Sequence, residues 1–322
     1  SKSISIIIPT FNDANFLKSC LASIASQSVL PDEVLVIDDG SEDHSASAVC
    51  NELDFTKLKI KFYKISNSGP SAARNYGHEK SSSAFVLFLD ADDFLPMDTI
   101  KKYLEELDTL PKDYFGICGR MNNFGKIFNA RSFFISEERV NPALLGRPGE
   151  LQGQISCYLL RSSAFQLVSG FDEGLSHYED FDLILRLLKL NKIRTLKNVV
   201  LFKRFHKLSQ SNKNFRKSYW GTKKFLYSSR EKNLLPEEEI LFRLRENLFS
   251  YGKQLFLHSK IFEAVKNFSL AFHNYQPRTF KEIAAYILCK GFNFFLQINL
   301  YQLNSSFKSS YSIAIVIPTY ND

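Results

Sequence analysis

From Leu183 to Arg230 the chain contains no Asp or Glu, against fourteen Lys or Arg. That lack of acids leaves two readings. One is a solvated basic face. The other is attraction to something anionic, such as a nucleotide diphosphate, an acidic glycan or an anionic membrane surface. Nucleic acid is not the expected partner, because no recognised nucleic-acid module accompanies the charge. Cysteine is scarce as well. Cys20, Cys50, Cys118, Cys157 and Cys289 are odd in number and include no CxxC pair. Their pattern argues against a disulfide framework or a zinc site and fits a reducing compartment. No apolar run is long enough to cross a bilayer. The expected location is cytoplasmic, with peripheral contact at the inner face of the cell membrane through residues 183–230.

Apolar bulk is plentiful: 44% of the residues are hydrophobic, and Phe alone accounts for 30 of 322. That length holds one large α/β domain, or one domain with an appendage. The N-terminal half alternates strands and helices. Ile4–Ile8 is a β-branched run ended by Pro9 and reads as a buried strand. Asp13 is placed to cap a helix whose apolar face is Phe16, Leu17, Cys20, Leu21 and Ile24. Val34–Ile37, Leu58–Ile65 and Ala84–Leu89 read as further strands, with a helix over Ser71–Ser81. Strands near Phe115–Gly119 and Ile155–Leu160 and a helix over Phe181–Leu190 follow. Residues 121–148 have weak periodicity and read as a long loop. Strands spaced by helices imply a largely parallel, doubly wound sheet. From about Phe215 the chain turns to helices rich in aromatics, and residues 248–277 have the spacing of one tetratricopeptide-like helical hairpin. The expected division is therefore an α/β domain over 1–212, a helical extension over 213–308 and a remnant over 309–322.

The densest polar feature is Asp90-Ala91-Asp92-Asp93, three carboxylates within four residues at the end of an apolar run. Ligands bind open α/β sheets at the carboxyl edge of the strands. Hard carboxylate oxygens suit Mg²⁺ or Mn²⁺, which commonly share their coordination with a substrate's phosphates. The plain alternative is a surface turn in which Asp caps the next helix. Other clusters decide between these readings. Pro9-Thr10-Phe11-Asn12 and Asp38-Asp39-Gly40-Ser41 each end a strand. Asn67-Ser68-Gly69-Pro70 leads into a helix carrying Arg74 and Asn75. Gly170-Phe171-Asp172-Glu173 and Tyr178-Glu179-Asp180-Phe181-Asp182 come much later.

In this order and spacing, over about Ser3 to Ser211, the series resembles the family 2 glycosyltransferases. These are inverting enzymes of the GT-A fold that use nucleotide-diphosphate sugars. The resemblance implies that Pro9, Thr10, Phe11 and Asn12 line the nucleotide base and ribose. Asp38 or Asp39 would accept a hydrogen bond from a uracil-type N–H, although Asp39 could instead shape its turn. Asn67 would contact the base, and Arg74 would meet phosphate or buttress the acids. Asp90 and Asp92 would be the metal-site pair, and Asp90, with Ala91 beside it, would hold the ribose or a metal-bound water. Asp92 would ligate Mn²⁺ or Mg²⁺, and Asp93 would support the site from behind or cap a helix. Asp180 would be the general base and Glu179 would orient the acceptor. Asp180 has a structural alternative as the N-cap of its helix, a place that would depress its pKa. His206 is read either as a further metal ligand or as a structural or exposed side chain.

The implied reaction moves a hexosyl or N-acetylhexosaminyl group from a UDP-sugar to a hydroxyl on a glycan or polyprenyl-linked acceptor. A sugar-phosphate nucleotidyltransferase is the weaker rival, because Pro9-Thr10-Phe11-Asn12 stands where that class has a Gly-rich phosphate loop. A non-catalytic glycan-binding module is the other, and intact Asp90, Asp92 and Asp180 argue against it. Ser3–Asp13 and Ser312–Asp322 agree at eight of eleven positions. The repeat reads as the start of a second such domain. It is similar in this to bacterial polysaccharide synthases with two glycosyltransferase domains, as in hyaluronan or chondroitin synthases of that type.

Overall fold

The computed structural model describes residues 2–42, 45–52, 57–124, 153–204 and 214–272. Strands β1 (Ile4–Thr10), β2 (Glu33–Asp38), β3 (Ile60–Lys64) and β4 (Phe85–Phe88) alternate with helices α1 (Ala14–Ala25), α2 (Ser45–Glu52) and α3 (Pro70–Lys80). Helix α4 (Thr99–Leu107), strands β5 (Tyr114–Phe124) and β6 (Tyr158–Arg161), and helices α5 (Ser162–Leu167) and α6 (Glu179–Leu190) follow. Strand β7 (Lys192–Arg204) and helices α7 (Phe215–Glu231), α8 (Glu237–Leu257) and α9 (Ile261–Ala271) complete the described elements. The sheet runs β3-β2-β1-β4-β6-β5-β7. Only β6 is reversed, antiparallel to both β4 and β5; the other pairings are parallel. The expected mostly parallel α/β sheet is what forms, and the carboxyl ends of β1, β2, β4 and β7 share one edge.

The centre is apolar because its strands are covered on both faces. Every residue of β2 and β4 is buried. Strand β1 runs through Pro9 to Thr10 rather than stopping at the proline. Pro9 is tolerated in a central strand for a local reason. The odd-numbered residues of β1 face β4, as the bond from Leu89 N to Ile7 O (2.9 Å) shows, and β4 has ended at Phe88. The missing proline N–H therefore has no ladder partner to lose. Asp13 stands at the N-cap of α1, but its side chain makes no capping bond. Residues 155–157 form a 3-10 turn before β6, so the expected strand there is shorter. Strand β7 was not evident in the sequence, since Lys and Arg interrupt its buried Ile193, Leu196, Val200 and Leu201.

The chain divides into two compact units, Ser1–Arg243 and Leu244–Asp322, with the division inside α8. In the first, Asn214 caps α7 by accepting from Arg216 N and Lys217 N at 3.1 Å. In the second, the remainder of α8 and α9 pack as a helical hairpin. A Cβ on Gly252 would lie 2.9 Å from Phe268 Cδ1, and Phe249 lies 5.5 Å from the Phe268 ring. Residues 273–322, including the repeated segment, lie outside the described residues, as does most of 121–148.

Candidate active site

Two loops meet at the ends of β1 and β2. Asp39 N donates to Thr10 O (2.8 Å) and Asn12 N to Ser41 Oγ (2.9 Å). Asp38 Oδ1 accepts from Ser41 N (2.9 Å), and Asp38 Oδ2 lies 3.8 Å from Lys64 Nζ. Asp39 reaches to the third loop: its two oxygens accept from Ser68 N (2.7 Å) and Gly69 N (2.8 Å). Gly40 between them has φ +78, and a Cβ there would come within 2.8 Å of Asn67 N. Only glycine serves both demands. Asn67 and Phe11 are exposed at this corner, while Thr10 Oγ1 is buried without a hydrogen-bond partner.

At the end of β4, one carboxylate oxygen from each of Asp90, Asp92 and Asp93 lies within 4.8 Å of the others. Asp90 is held on both sides, by Arg74 Nη2 at Oδ1 (2.8 Å) and Gln154 Nε2 at Oδ2 (2.6 Å). Burial would raise its pKa, but Arg74 and Lys203 pull it below the usual carboxylate value. Asp93 differs. Burial, followed by the charge of Asp90, pushes it up to about 8. Its Oδ1 accepts from Arg204 N (2.9 Å), while buried Oδ2 has no hydrogen-bond partner. An unpartnered buried carboxylate oxygen among three clustered acids fits a hard divalent cation, which takes oxygen ligands.

Helix α6 brings the second set of acids. It begins at Glu179, with Tyr178 at the N-cap in the left-handed region (φ 63). Asp180 is therefore not the cap. Its Oδ2 accepts from Ile155 N (3.1 Å), and its buried Oδ1 has no hydrogen-bond partner. The expected depression of its pKa does not occur either. Burial pushes Asp180 up to about 7, against the pull of Arg74 and with help from Glu179 and Asp90. Desolvation outweighs the helix end because most of the carboxylate is withdrawn from water.

Arg74 joins the two sets. Its guanidinium lies 2.8 Å from Asp90, 3.4 Å from Glu179 and 3.7 Å from Asp180. Burial opposes its charge, and Asp90, Asp180 and Glu179 outweigh that. The neighbouring residue fixes the loop before α6. Asn75 accepts from Phe171 N (2.9 Å) and donates to Phe171 O (3.0 Å), bracketing that residue as a strand partner would. The Arg74-Asn75 pair and the Gly170–Glu173 segment thus form one unit. Asp172 and Asp182 both pair with Lys232 (2.8 and 3.0 Å) and serve packing.

Residues 5–156 match the family model described as glycosyl transferase family 2. Over those residues the chain is similar to the family 2 glycosyltransferases. An uncharacterized glycosyltransferase of Haemophilus influenzae is 41% identical over 101 residues, 31% of this chain and 40% of the relative. The chondroitin synthase of Pasteurella multocida is 25% identical over 217 residues, 66% of this chain and 21% of the relative. The chain thus spans less than half the length of these relatives. Among solved structures, S. aureus TarS 1-349 in complex with UDP superimposes with a TM-score of 0.59 at 21% identity. That match covers 83% of this chain and 78% of the TarS 1-349 chain, and it shows the fold.

Around this site, sequence reading missed Gln154, Lys203 and Arg204. Gln154 carries no motif, and the two cations belong to a strand the pattern did not reveal. Arg204 donates to Asp92 O (3.1 Å) and Ser19 Oγ (2.9 Å), fastening the end of β7 to the acidic turn. His206, the expected extra metal ligand, lies outside the described residues.

Proposed function

We propose that the protein is an inverting, metal-dependent glycosyltransferase. It transfers a hexosyl or N-acetylhexosaminyl group from a UDP-sugar to a hydroxyl of a glycan or polyprenyl-linked acceptor in surface polysaccharide synthesis. One observation carries the proposal: a single guanidinium, Arg74, lies against both the strand-end acids and the acids opening α6. The UDP in the TarS crystal and the chondroitin synthase relative support the choice of donor and product class.

In this reading the corner formed by Pro9, Thr10, Phe11, Asn12, Asp38, Asp39 and Asn67 receives the base and ribose. Asp92, with Asp90 and Asp93, would hold Mn²⁺ or Mg²⁺, and His206 would add a ligand. Such an ion bound to the diphosphate offsets the charge that develops on the departing nucleotide. Asp180 takes the proton of the acceptor hydroxyl as its oxygen attacks the anomeric carbon from the face opposite the diphosphate. The bond from that carbon to the diphosphate oxygen breaks, and the electron pair leaves with UDP. A carboxylate raised to about 7 suits this role, since a general base works best with a pKa near the working pH. Glu179 orients the acceptor, and Arg74 holds both acids in place.

Asp180→Asn tests the assignment. Transfer measured with UDP-sugars and Mn²⁺ should fall by about 10²–10⁴-fold. Nucleotide-sugar binding by calorimetry should persist. Retained turnover would refute the base role, and glycan binding without nucleotide binding by the natural protein would favour a non-catalytic module.

A further inference from the structure

Lys203 belongs to the acidic centre although no sequence motif points to it. It is the penultimate residue of edge strand β7, which brings it to the same sheet edge as the end of β4. Its ammonium donates to Gln154 Oε1, and Gln154 in turn donates to Asp90 Oδ2 (2.6 Å). A lysine ammonium has three N–H donors. Gln154 takes one, which leaves two for a ligand. The surrounding field is strongly negative. Burial would lower the Lys203 pKa, yet Asp90, Asp93, Asp92 and Asp180 together hold it above the ordinary value.

Such a cation has opposite effects on two ligands. It repels a bare divalent ion entering between Asp90, Asp92 and Asp93. It attracts a diphosphate that arrives with that ion. We infer that Lys203 is a direct ligand of the donor's diphosphate, and that it makes metal binding depend on the nucleotide. This rests on the nucleotide-sugar reading above. Lys203 and Arg74 divide the work: Arg74 is already committed to Asp90, Glu179 and Asp180, whereas Lys203 pairs through a neutral amide. Gln154 keeps the ammonium near the acids without joining it to one, so a diphosphate oxygen needs to displace no ion pair. Charge-assisted bonds of this kind are the stronger ones, so their loss should be readily measured.

The experiment compares the natural protein with Lys203→Met and Lys203→Arg, each checked for folding by circular dichroism. Free Mn²⁺ is followed by electron paramagnetic resonance, with and without UDP, and UDP binding is measured by calorimetry at saturating Mn²⁺. Lys203→Met should bind Mn²⁺ alone at least threefold more tightly and UDP at least tenfold more weakly. Lys203→Arg should stay within threefold of the natural protein in both. These shifts of opposite sign are the discriminating result, because damage to the fold would weaken both ligands. Weakening of both, or no change in either, overturns the inference. If the natural protein itself binds no UDP with Mn²⁺, the nucleotide-sugar reading fails instead.

Discussion

Asp180 carries the sharpest chemistry at the scale of a single residue. An isolated aspartate near pKa 3.8 is a poor acceptor of a hydroxyl proton, and burial moves this one to about 7. Activity should therefore rise with pH through about 7, with kcat/KM falling one decade per unit on the acid side. Stability should respond in the opposite sense. Between pH 3.8 and about 7 the folded state keeps a proton that the unfolded chain has released. The native state is then favoured at the low end, and that contribution is lost as pH rises through the folded pKa. Asp180→Asn should accordingly stabilise the protein at pH 8 and do much less at pH 4, as measured by urea unfolding. Equal effects at both values would mean that the carboxylate is not held in a desolvated site. The motif order singled out this residue, but the elevated pKa was invisible in it, because it comes first from burial in the folded chain and then from charges that include Asp90, remote in sequence.

Elements were legible where their apolar pattern was unbroken. Strands β1, β2 and β4 are nearly continuous apolar runs, as doubly covered strands are, and they stood out. Strand β7 is an edge strand whose exposed positions carry charges, so neither alternation nor a continuous run marks it. Helix α3 makes a separate point about context. Replacing glycine by alanine inside a helix ordinarily stabilises by about 0.5–1 kcal/mol. At Gly77, however, a Cβ would lie 2.4 Å from Ile7 Cγ2 and 3.1 Å from Ile37 Cγ1. Both isoleucines are buried in the central strands and cannot yield. Gly77→Ala should therefore destabilise by about 1–3 kcal/mol, the usual cost of overpacking, in a urea titration. A stabilised variant would show that α3 can lift away from the sheet.

For the molecule as a whole, the basic stretch looks different once folded. Arg186 pairs with Asp182, Lys192 with Asp113, Arg194 with Glu106 and Arg230 with Glu237. Lys203 faces the active-site acids. Charge counted along the chain therefore exceeds the charge offered outward. On α7, Lys223 lies over Trp220 (5.0 Å) and Tyr227 (5.6 Å), both exposed. Cations beside exposed aromatics suit a membrane–water interface. We propose that this stretch gives weak contact with anionic lipid. Cosedimentation with phosphatidylglycerol vesicles should be seen at about 0.1 M salt and lost near 1 M, as the Debye length falls from about 10 Å to about 3 Å. Equal binding to neutral vesicles, or none at low salt, would refute it. No helix among the described residues is long and apolar enough to cross a membrane.

The sequence already contains the α/β class and the roster of acids. Apolar runs and the polar clusters that end them are local properties of the chain. It also paired Asp90 with Asp92, because a turn keeps near neighbours together. Folding in three dimensions is what makes Asp90, Glu179 and Asp180 share Arg74, sets Asp39 to brace the Ser68–Gly69 turn, and brings Lys203 to the acidic centre. Electrostatic interaction depends on distance through space and on exclusion of water. Neither is set until β4, α3, α6 and β7 have brought their ends to one edge of the sheet.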